Sequence, residues 1–396
     1  MPAPAATAPP SPLQRVFGFA GLAAQPVRAM IEVTHRCHLS CSHCYLHDHH
    51  RWDSRPDELS TAELLSLVEQ LHAAGCLFLS FTGGEVFLRP DLWTVLTRAR
   101  ELGLAISLLT TGTLLSPRLV TRLAELQPWR VELSLYSLDP QVHDGITQRA
   151  GSHRRTRLAL DRLRAAGIPV LIKCPVMAAN FESYEGLRDL AAELGVPFVA
   201  DLTLTPRHDG ALEPTQQRLS QEQIVRFYAR SELRRFGTAA PELPRADAPI
   251  CAIGRRSCLI GPYGDVYACG SLRTPVGNVR QQPFASIWRD SPLLTRLRGL
   301  TAGDLTHCSG CEKFGYCNRC AALALDEHGE LLGPSAWACR VAAAKEQASG
   351  LVPTPSAAQR QGWPSAGTAA RECCGGGACA SADSTPAEHH PCGCGD

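Results

Sequence analysis

The chain has 396 residues, of which 39 are basic and 38 acidic, for a net charge of +1. That length holds one large domain and a smaller one, each with a core of its own. So even a charge balance sets up no long-range field toward nucleic acid or an anionic membrane, and no apolar run nears the ~20 residues that span a bilayer, so neither is an expected partner.

Eighteen cysteines would suit a disulfide scaffold in a short chain with a signal peptide, but this chain has neither property. Residues 1–25 are rich in Ala and Pro, including Pro9, Pro10 and Pro12, and have no basic leader before an apolar run. They read as a flexible extension of a cytoplasmic protein whose thiols stay reduced and available to metal.

From residue 28 to about 205, short β-rich runs alternate with amphipathic helical ones, the pattern of βα units on a parallel sheet. The first predicted strand, 28–34, is followed by Cys37, Cys41 and Cys44 in Cys-x3-Cys-x2-Cys spacing. Ser60-Thr-Ala-Glu63 predicts a capping box at the start of a helix that ends at Gly75. Strand two, 77–82, leads into Gly83-Gly84-Glu85 and a helix from Pro90. Strand three, 105–110, leads into Thr111-Gly112 and a helix opened by Ser116-Pro117. Strand four, 131–135, precedes a helix ending at Ala166-Gly167, and strands five and six are expected at 169–175 and 198–203. Six repeats are fewer than the eight of a closed barrel, so the predicted fold class is α/β, a partial (β/α)6 TIM-like barrel over 26–236. Its last helix, 220–236, is capped by Ser220, and 237–249, with Pro241-Glu-Leu-Pro244, reads as a linker.

Residues 250–345 hold Cys251, Cys258, Cys269, Cys308, Cys311, Cys317, Cys320 and Cys339 among tight turns. Such a segment is expected to have little apolar core and to fold around metal. Residues 346–396, rich in Ala, Pro, Ser and Gly, read as a disordered tail. Its cysteines from Cys373 to Cys394 suggest adventitious metal binding, or else metal delivery or mimicry of a cysteine-rich peptide substrate.

Parallel βα folds place their chemistry at the carboxyl ends of the strands, where the cysteine triplet, Gly83-Gly84-Glu85 and Thr111-Gly112 all fall. Three thiolates leave one iron of a 4Fe-4S cluster open to another ligand, whereas zinc would take a fourth ligand such as His35 or His43. Two glycines let a backbone approach a ligand closely, and the carboxylate beside them can accept from an ammonium group. The eight later cysteines suffice for two closed clusters, although two Cys-x2-Cys knuckles would also suit zinc ribbons. Cys76 and Cys174 fall where small buried apolar residues belong. Lys173, Arg207, Asp201 and Asp209 fall near strand ends, where they could line a substrate mouth.

Cys37, Cys41 and Cys44 followed by Tyr45, with Gly83-Gly84-Glu85 one strand later, resemble the radical S-adenosylmethionine superfamily. The resemblance implies a 4Fe-4S cluster on Cys37, Cys41 and Cys44 whose open iron chelates S-adenosylmethionine. It further implies that Gly83, Gly84 and Glu85 meet the cofactor's amino group, Ser134 its ribose and the backbone of Tyr45 its adenine. The later cysteines resemble the SPASM extension with two auxiliary 4Fe-4S clusters. By that resemblance one cluster takes Cys251, Cys258, Cys269 and Cys320, and the other Cys308, Cys311, Cys317 and Cys339. Two residues separate Cys317 from Cys320 where the family usually has three.

What the resemblance implies is an oxidoreductase that takes a hydrogen atom from a peptide or small protein. The expected products are thioether or carbon-carbon crosslinks, or matured cofactor precursors. Leu204-Thr-Pro-Arg207-His-Asp-Gly210, Cys317-Asn-Arg-Cys320 and Gly333-Pro-Ser335 look more like maturases of ribosomally made peptides than like sulfatase-maturing enzymes. An external flavodoxin or ferredoxin would supply electrons. The 27 residues before the first strand are too few for a leader-gripping domain, so a separate leader-binding protein is a further expected partner. The rival of another class is a non-catalytic iron-sulfur electron or metal carrier, which would have no need of Gly83-Gly84-Glu85.

Overall fold

The computed structural model describes residues 11–46, 57–229 and 243–349. Six parallel strands, β1 (Arg28–Thr34), β2 (Phe78–Gly83), β3 (Ala105–Thr110), β4 (Arg130–Ser134), β5 (Val170–Pro175) and β6 (Phe198–Asp201), lie side by side in chain order. The intervening helices are α2 (Thr61–Ala73), α3 (Leu92–Glu101), α4 (Pro117–Leu126), α5 (Pro140–Thr147), α6 (Ser152–Ala165) and α7 (Tyr184–Leu194), preceded by α1 (Pro12–Leu22) and followed by α8 (Gln221–Tyr228). The expected partial barrel is present.

Local chemistry explains most boundaries. Ser60 accepts from the Glu63 amide while Glu63 reaches back to the Ser60 amide, completing the capping box of α2. Ser116 caps α4 with Pro117 in its first turn. The single helix expected after β4 is two, because Gly151 at φ +74° lets the chain turn in a backbone region that L side chains seldom occupy.

Along the strands, side chains alternate between an apolar outer face under the helices and a polar inner face. On β4, Val131 and Leu133 enter the core while Glu132 and Ser134 line the inner cavity; on β5, Ile172 and Cys174 face the core and Lys173 the cavity. Cys76 and Cys174 are both buried, as expected.

Three expectations require correction. The first concerns 12–22, read as flexible. These residues form α1, whose Phe17 ring stacks on Phe78 at 5.7 Å and lies under the Arg28 and Arg256 guanidinium groups at 5.2 and 5.9 Å. Apolar contact and two cations outweigh the Pro-rich composition of the flank. Residues 1–10 lie outside the described residues.

The second concerns the cysteine-rich segment, which has a substantial apolar core. Strand β7 (Ser257–Ile260) joins the barrel sheet parallel to β1, and β8 (Asp265–Tyr267) and β9 (Pro275–Asn278) continue it antiparallel, giving one nine-stranded sheet. Helices α9 (Phe284–Asp290) and α10 (Pro292–Gly299) bury Phe284, Ile287, Trp288, Leu294 and Leu297 in the same continuous cluster that fills the barrel.

The third concerns the end of that segment. After α11 (Ala321–His328), helix α12 (Ala336–Ser349) runs past residue 345, and its Arg340 donates to the Leu219 carbonyl just before α8. Of the linker and the helix expected over 220–236, residues 230–242 lie outside the described residues, as does the tail from 350.

Candidate active site

The loop after β1 carries Cys37, Cys41 and Cys44 and is fixed by backbone and side-chain bonds together: the His35 amide donates to Glu58 at 2.9 Å, and the His38 ring meets the Thr113 hydroxyl at 2.5 Å. Ser40 and Ser42 donate their amides to the Thr147 and Ile146 carbonyls at the end of α5, at 3.2 and 2.9 Å. Burial pushes the Cys37 thiol up to about 12 and the Cys44 thiol to about 11, and raises Cys41 further, with each of Cys37 and Cys41 also opposed by a neighbouring sulfur. Three buried sulfurs that repel one another as thiolates need cationic metal to hold them ionised, so the donor set fits an iron-sulfur cluster. Among the described residues no group of three or more His, Cys, Asp or Glu side chains converges as it would around a single ion.

The glycines of Gly83-Gly84-Glu85 have a structural cause. A Cβ on Gly83 would sit 2.1 Å from the Thr34 carbonyl oxygen, and one on Gly84 the same distance from that of Arg36. The Gly84 and Glu85 amides bond to these same carbonyls at 2.8 Å, which clamps the cysteine loop onto β2. Both glycines line the cavity.

Glu85 differs from expectation. Its side chain is 0% exposed and is absent from the cavity wall. It accepts from Thr110 Oγ1 at 2.7 Å, from the Thr111 amide and hydroxyl at 3.0 and 2.7 Å, and from the Phe87 amide. The carboxylate thus organises the end of β3, and Thr111 beside it faces the cavity.

The cavity, of about 540 Å³, opens at the carboxyl ends of the strands. Cys37, Cys41, Cys44, Tyr45, Gly83, Gly84, Thr111 and Ser134 all border it, so the expected cofactor residues are gathered at one place apart from Glu85. Lys173, Asp201 and Arg207 border it as expected, whereas Asp209 pairs with Arg207 at 2.6 Å behind the wall.

Sequence reasoning missed a buried assembly in one wall. Arg273, from the loop after Cys269, bonds Glu32 of β1 at 3.0 and 3.3 Å and lies 5.2 Å over the Tyr45 ring. The Tyr45 hydroxyl donates to Glu32 at 3.2 Å. His35 and Arg273 hold the Glu32 carboxyl down to about 2 against the opposing effect of burial. His208 packs on Tyr45 at 4.9 Å, and burial pushes it down to about 4, so it is neutral. Tyr45 belongs to the cysteine motif, but no local motif announces its link to Glu32 and Arg273, because Arg273 comes from a loop more than two hundred residues further along the chain. His43, between two of the cysteines, also lines the cavity, its ring centroid 5.0 Å from that of Tyr136 in an edge-to-face contact.

The later cysteines divide. Cys251 has Cys269 and Cys320 as its sulfur neighbours, and Cys317 has Cys308. Arg319 feels sulfur from both groups and is anchored by the Leu331 and Gly333 carbonyls. Cys258 is buried in the apolar cluster, and its thiol is raised by that burial and by the charge of Cys76.

A thiolate triplet on the rim of an open βα barrel, facing a polar cavity and flanked by a second cysteine-rich unit, defines a class of enzymes that generate radicals from S-adenosylmethionine at iron and sulfur. The radical SAM superfamily model matches residues 31–193, and the SPASM iron-sulfur cluster-binding domain matches 251–321. A PqqA peptide cyclase of Xanthomonas axonopodis pv. citri is 31% identical over 86% of this chain and 96% of its own length. An AdoMet-dependent heme synthase of Methanosarcina barkeri is 28% identical over 76% of this chain and 93% of its own. In fold, anSMEcpe with bound AdoMet superposes with a TM-score of 0.62 at 14% identity, covering 82% of this chain and 93% of that one. Streptococcus suis SuiB bound to precursor peptide SuiA gives 0.57 at 17% identity, covering 82% and 79%. The chain belongs to the radical SAM superfamily and carries a SPASM domain; it is an enzyme. Among the described residues no helix is long and apolar enough to cross a membrane.

Proposed function

We propose that this enzyme binds a 4Fe-4S cluster through Cys37, Cys41 and Cys44, cleaves S-adenosylmethionine there, and oxidatively modifies a peptide that enters the cavity. When bound, the cluster supplies the electron that yields the 5'-deoxyadenosyl radical. The chain's own part is placement. Gly83 and Gly84 present backbone to the cofactor, Ser134 and Thr111 offer hydroxyls, and Glu85 acts behind Thr111. The backbone beside Tyr45 would meet the adenine, while its side chain holds to Glu32. Auxiliary clusters on the later cysteines would accept the electron left on the substrate, with a flavodoxin or ferredoxin as external donor and a separate protein presenting the peptide leader.

The observation that favours a peptide is the charge of the cavity. Lys173 lies 3.7 Å from Glu132, Arg207 pairs with Asp209 and Arg273 with Glu32, while Asp201 and Asp326 add negative charge. A carboxylate-laden ring such as the heme synthase's tetrapyrrole would gain little attraction there, whereas an uncharged or mixed peptide loses nothing.

The test is anaerobic incubation of the iron-loaded protein with S-adenosylmethionine and dithionite. 5'-Deoxyadenosine is expected, none from Cys41→Ala, and a mass loss of two hydrogens on a candidate precursor peptide. No 5'-deoxyadenosine from loaded wild type would leave only a carrier of clusters.

A further inference from the structure

The near balance of 39 basic and 38 acidic residues is not spread evenly. Between residues 148 and 165 stand Arg149, Arg154, Arg155, Arg157, Arg162 and Arg164 against one carboxylate, Asp161. Arg149 lies in the turn between α5 and α6, and the others lie on α6. Arg149 and Arg154 are exposed, and among the described residues none of Arg149, Arg154, Arg155 and Arg157 forms an ion pair. The acidic side chains on the α5 side are turned to helix ends. Asp139 accepts from the Gln141 amide at 2.8 Å, and Asp144 accepts from the Gly151 amide, the Ser152 hydroxyl and the His153 amide at 2.6, 2.8 and 2.8 Å. Amid the arginines Leu158 is 44% exposed. It stands three or four residues from Arg154, Arg155 and Arg162, on one face of α6 with them.

This basic face adjoins the outside of the cysteine loop. The loop is tied to the end of α5 through the Ser40 and Ser42 amides. Ser40, between Cys37 and Cys41, is exposed and stands outside the cavity wall. His38, the residue after Cys37, lies within electrostatic reach of Arg149 and Arg155. Substrate and S-adenosylmethionine belong to the cavity side of the triplet, so what it can receive from this outer side is an electron. Cations around an apolar centre fit an acidic protein, since the charges steer the encounter and the apolar centre is what docking covers. A nucleic acid would use the arginines and have no use for Leu158.

We propose that Arg149, Arg154, Arg155 and Leu158 form the docking surface for an acidic electron-transfer protein of the flavodoxin type. There the donor's anionic flavin hydroquinone gives up one electron and becomes the neutral semiquinone, and the N-terminal cluster gains that electron. No bond is made or broken and no proton moves, and the substrate keeps the cavity throughout. The proposal rests on the cluster reading given above.

The test uses purified flavodoxin and the iron-loaded full-length chain. Calorimetric titration at low ionic strength is expected to give a Kd that rises with added salt, and that rises about tenfold or more in the double variant Arg149→Glu, Arg154→Glu. Leu158→Gln, which leaves the charge unchanged, should weaken binding as well. Arg164→Glu makes the same kind of charge change about 15 Å further along α6 and should bind as wild type does. Reduction of the N-terminal cluster by flavodoxin hydroquinone, followed by freeze-quench EPR, should slow in step with the lost affinity. Dithionite, which needs no docking, should still yield 5'-deoxyadenosine in the double variant. Equal Kd values for the double variant and Arg164→Glu, or no binding by wild type, would overturn the proposal. So would a single-stranded RNA that binds more tightly than flavodoxin and is released by the arginine changes but not by Leu158→Gln. The calorimetry decides the docking surface by itself, whereas wild type that forms no 5'-deoxyadenosine with dithionite would fail the cluster reading.

Discussion

At the scale of single residues, the wall around the cysteines depends on groups whose roles are set by direction as much as by type. Gly84→Ala drives a methyl group to 2.1 Å from the Arg36 carbonyl and 2.7 Å from that of His35. The cysteine loop must then leave β2, so the variant should lose the N-terminal cluster's iron and its EPR signal while keeping the auxiliary ones. Gly145→Ala, on α5 behind the same loop, meets nothing within 4 Å and serves as the control. It should retain all iron and gain about 0.5–1 kcal/mol of stability from a less flexible unfolded chain. Glu85→Ala strands the Thr110 and Thr111 donors in a buried place, which costs about 1–3 kcal/mol per unsatisfied group and should appear as a lower anaerobic melting temperature. His143 is 1% exposed and accepts the Tyr136 amide, and burial pushes it down to about 4. Its folded value lies below the unfolded one of about 6.5, so the stability it contributes is present above that pH and lost as pH falls toward 4. About 1 kcal/mol should disappear between pH 7.5 and 5.5, and a flatter pH profile of melting temperature in His143→Gln checks it. The motif residues Cys37, Cys41, Cys44, Gly83 and Gly84 were legible because backbone chemistry fixes their spacing. The side-chain direction of Glu85, buried and turned to Thr110 and Thr111, was not legible, because a motif states a residue's identity but not which way its chain turns it.

At the scale of elements, β1 to β6 were readable since each apolar run sits between amphipathic helices, several of them capped by their own Ser or Asp, so local signal and tertiary outcome agree. Strand β7 was not, for Ser257-Cys258-Leu259-Ile260 is short, and its partner β1 lies more than two hundred residues earlier in the chain. Helix α1 was hidden by composition, since its flank is rich in Ala and Pro while its stabilising contacts come from Phe78, Arg28 and Arg256. Phe17→Ala removes an aromatic stack and the ring under two cations, worth about 1–3 kcal/mol together. A melting temperature unchanged from wild type would show that α1 does not hold to the barrel.

At the scale of the whole molecule, the barrel and the SPASM unit share one sheet and one core, and a buried ion pair joins their metal loops. Glu32 stands on β1, Arg273 follows Cys269 by four residues, and Tyr45 follows Cys44 while touching both. Glu32 is 1% exposed while Arg273 keeps 21% of its side chain exposed beside the cavity, so removing Arg273 strands the Glu32 charge out of reach of water and removing Glu32 leaves a largely buried guanidinium unpaired. Such a loss costs about 3–5 kcal/mol, while removing both partners together costs much less. Arg273→Met and Glu32→Gln should each lower the stability of the iron-loaded chain steeply, and the double variant should recover part of it, giving a coupling of at least about 1 kcal/mol. The structural consequence extends beyond stability. With the pair intact, the Cys44 and Cys269 loops are joined through one contact, which under the function proposed above would keep a radical formed beside the first in register with an electron acceptor beside the second. In Arg273→Met that contact is gone but the cysteine triplet is untouched, so abortive 5'-deoxyadenosine formation should persist while modified peptide per 5'-deoxyadenosine falls. Additive stability losses with an unchanged ratio would show that the two metal loops are positioned by the shared sheet alone.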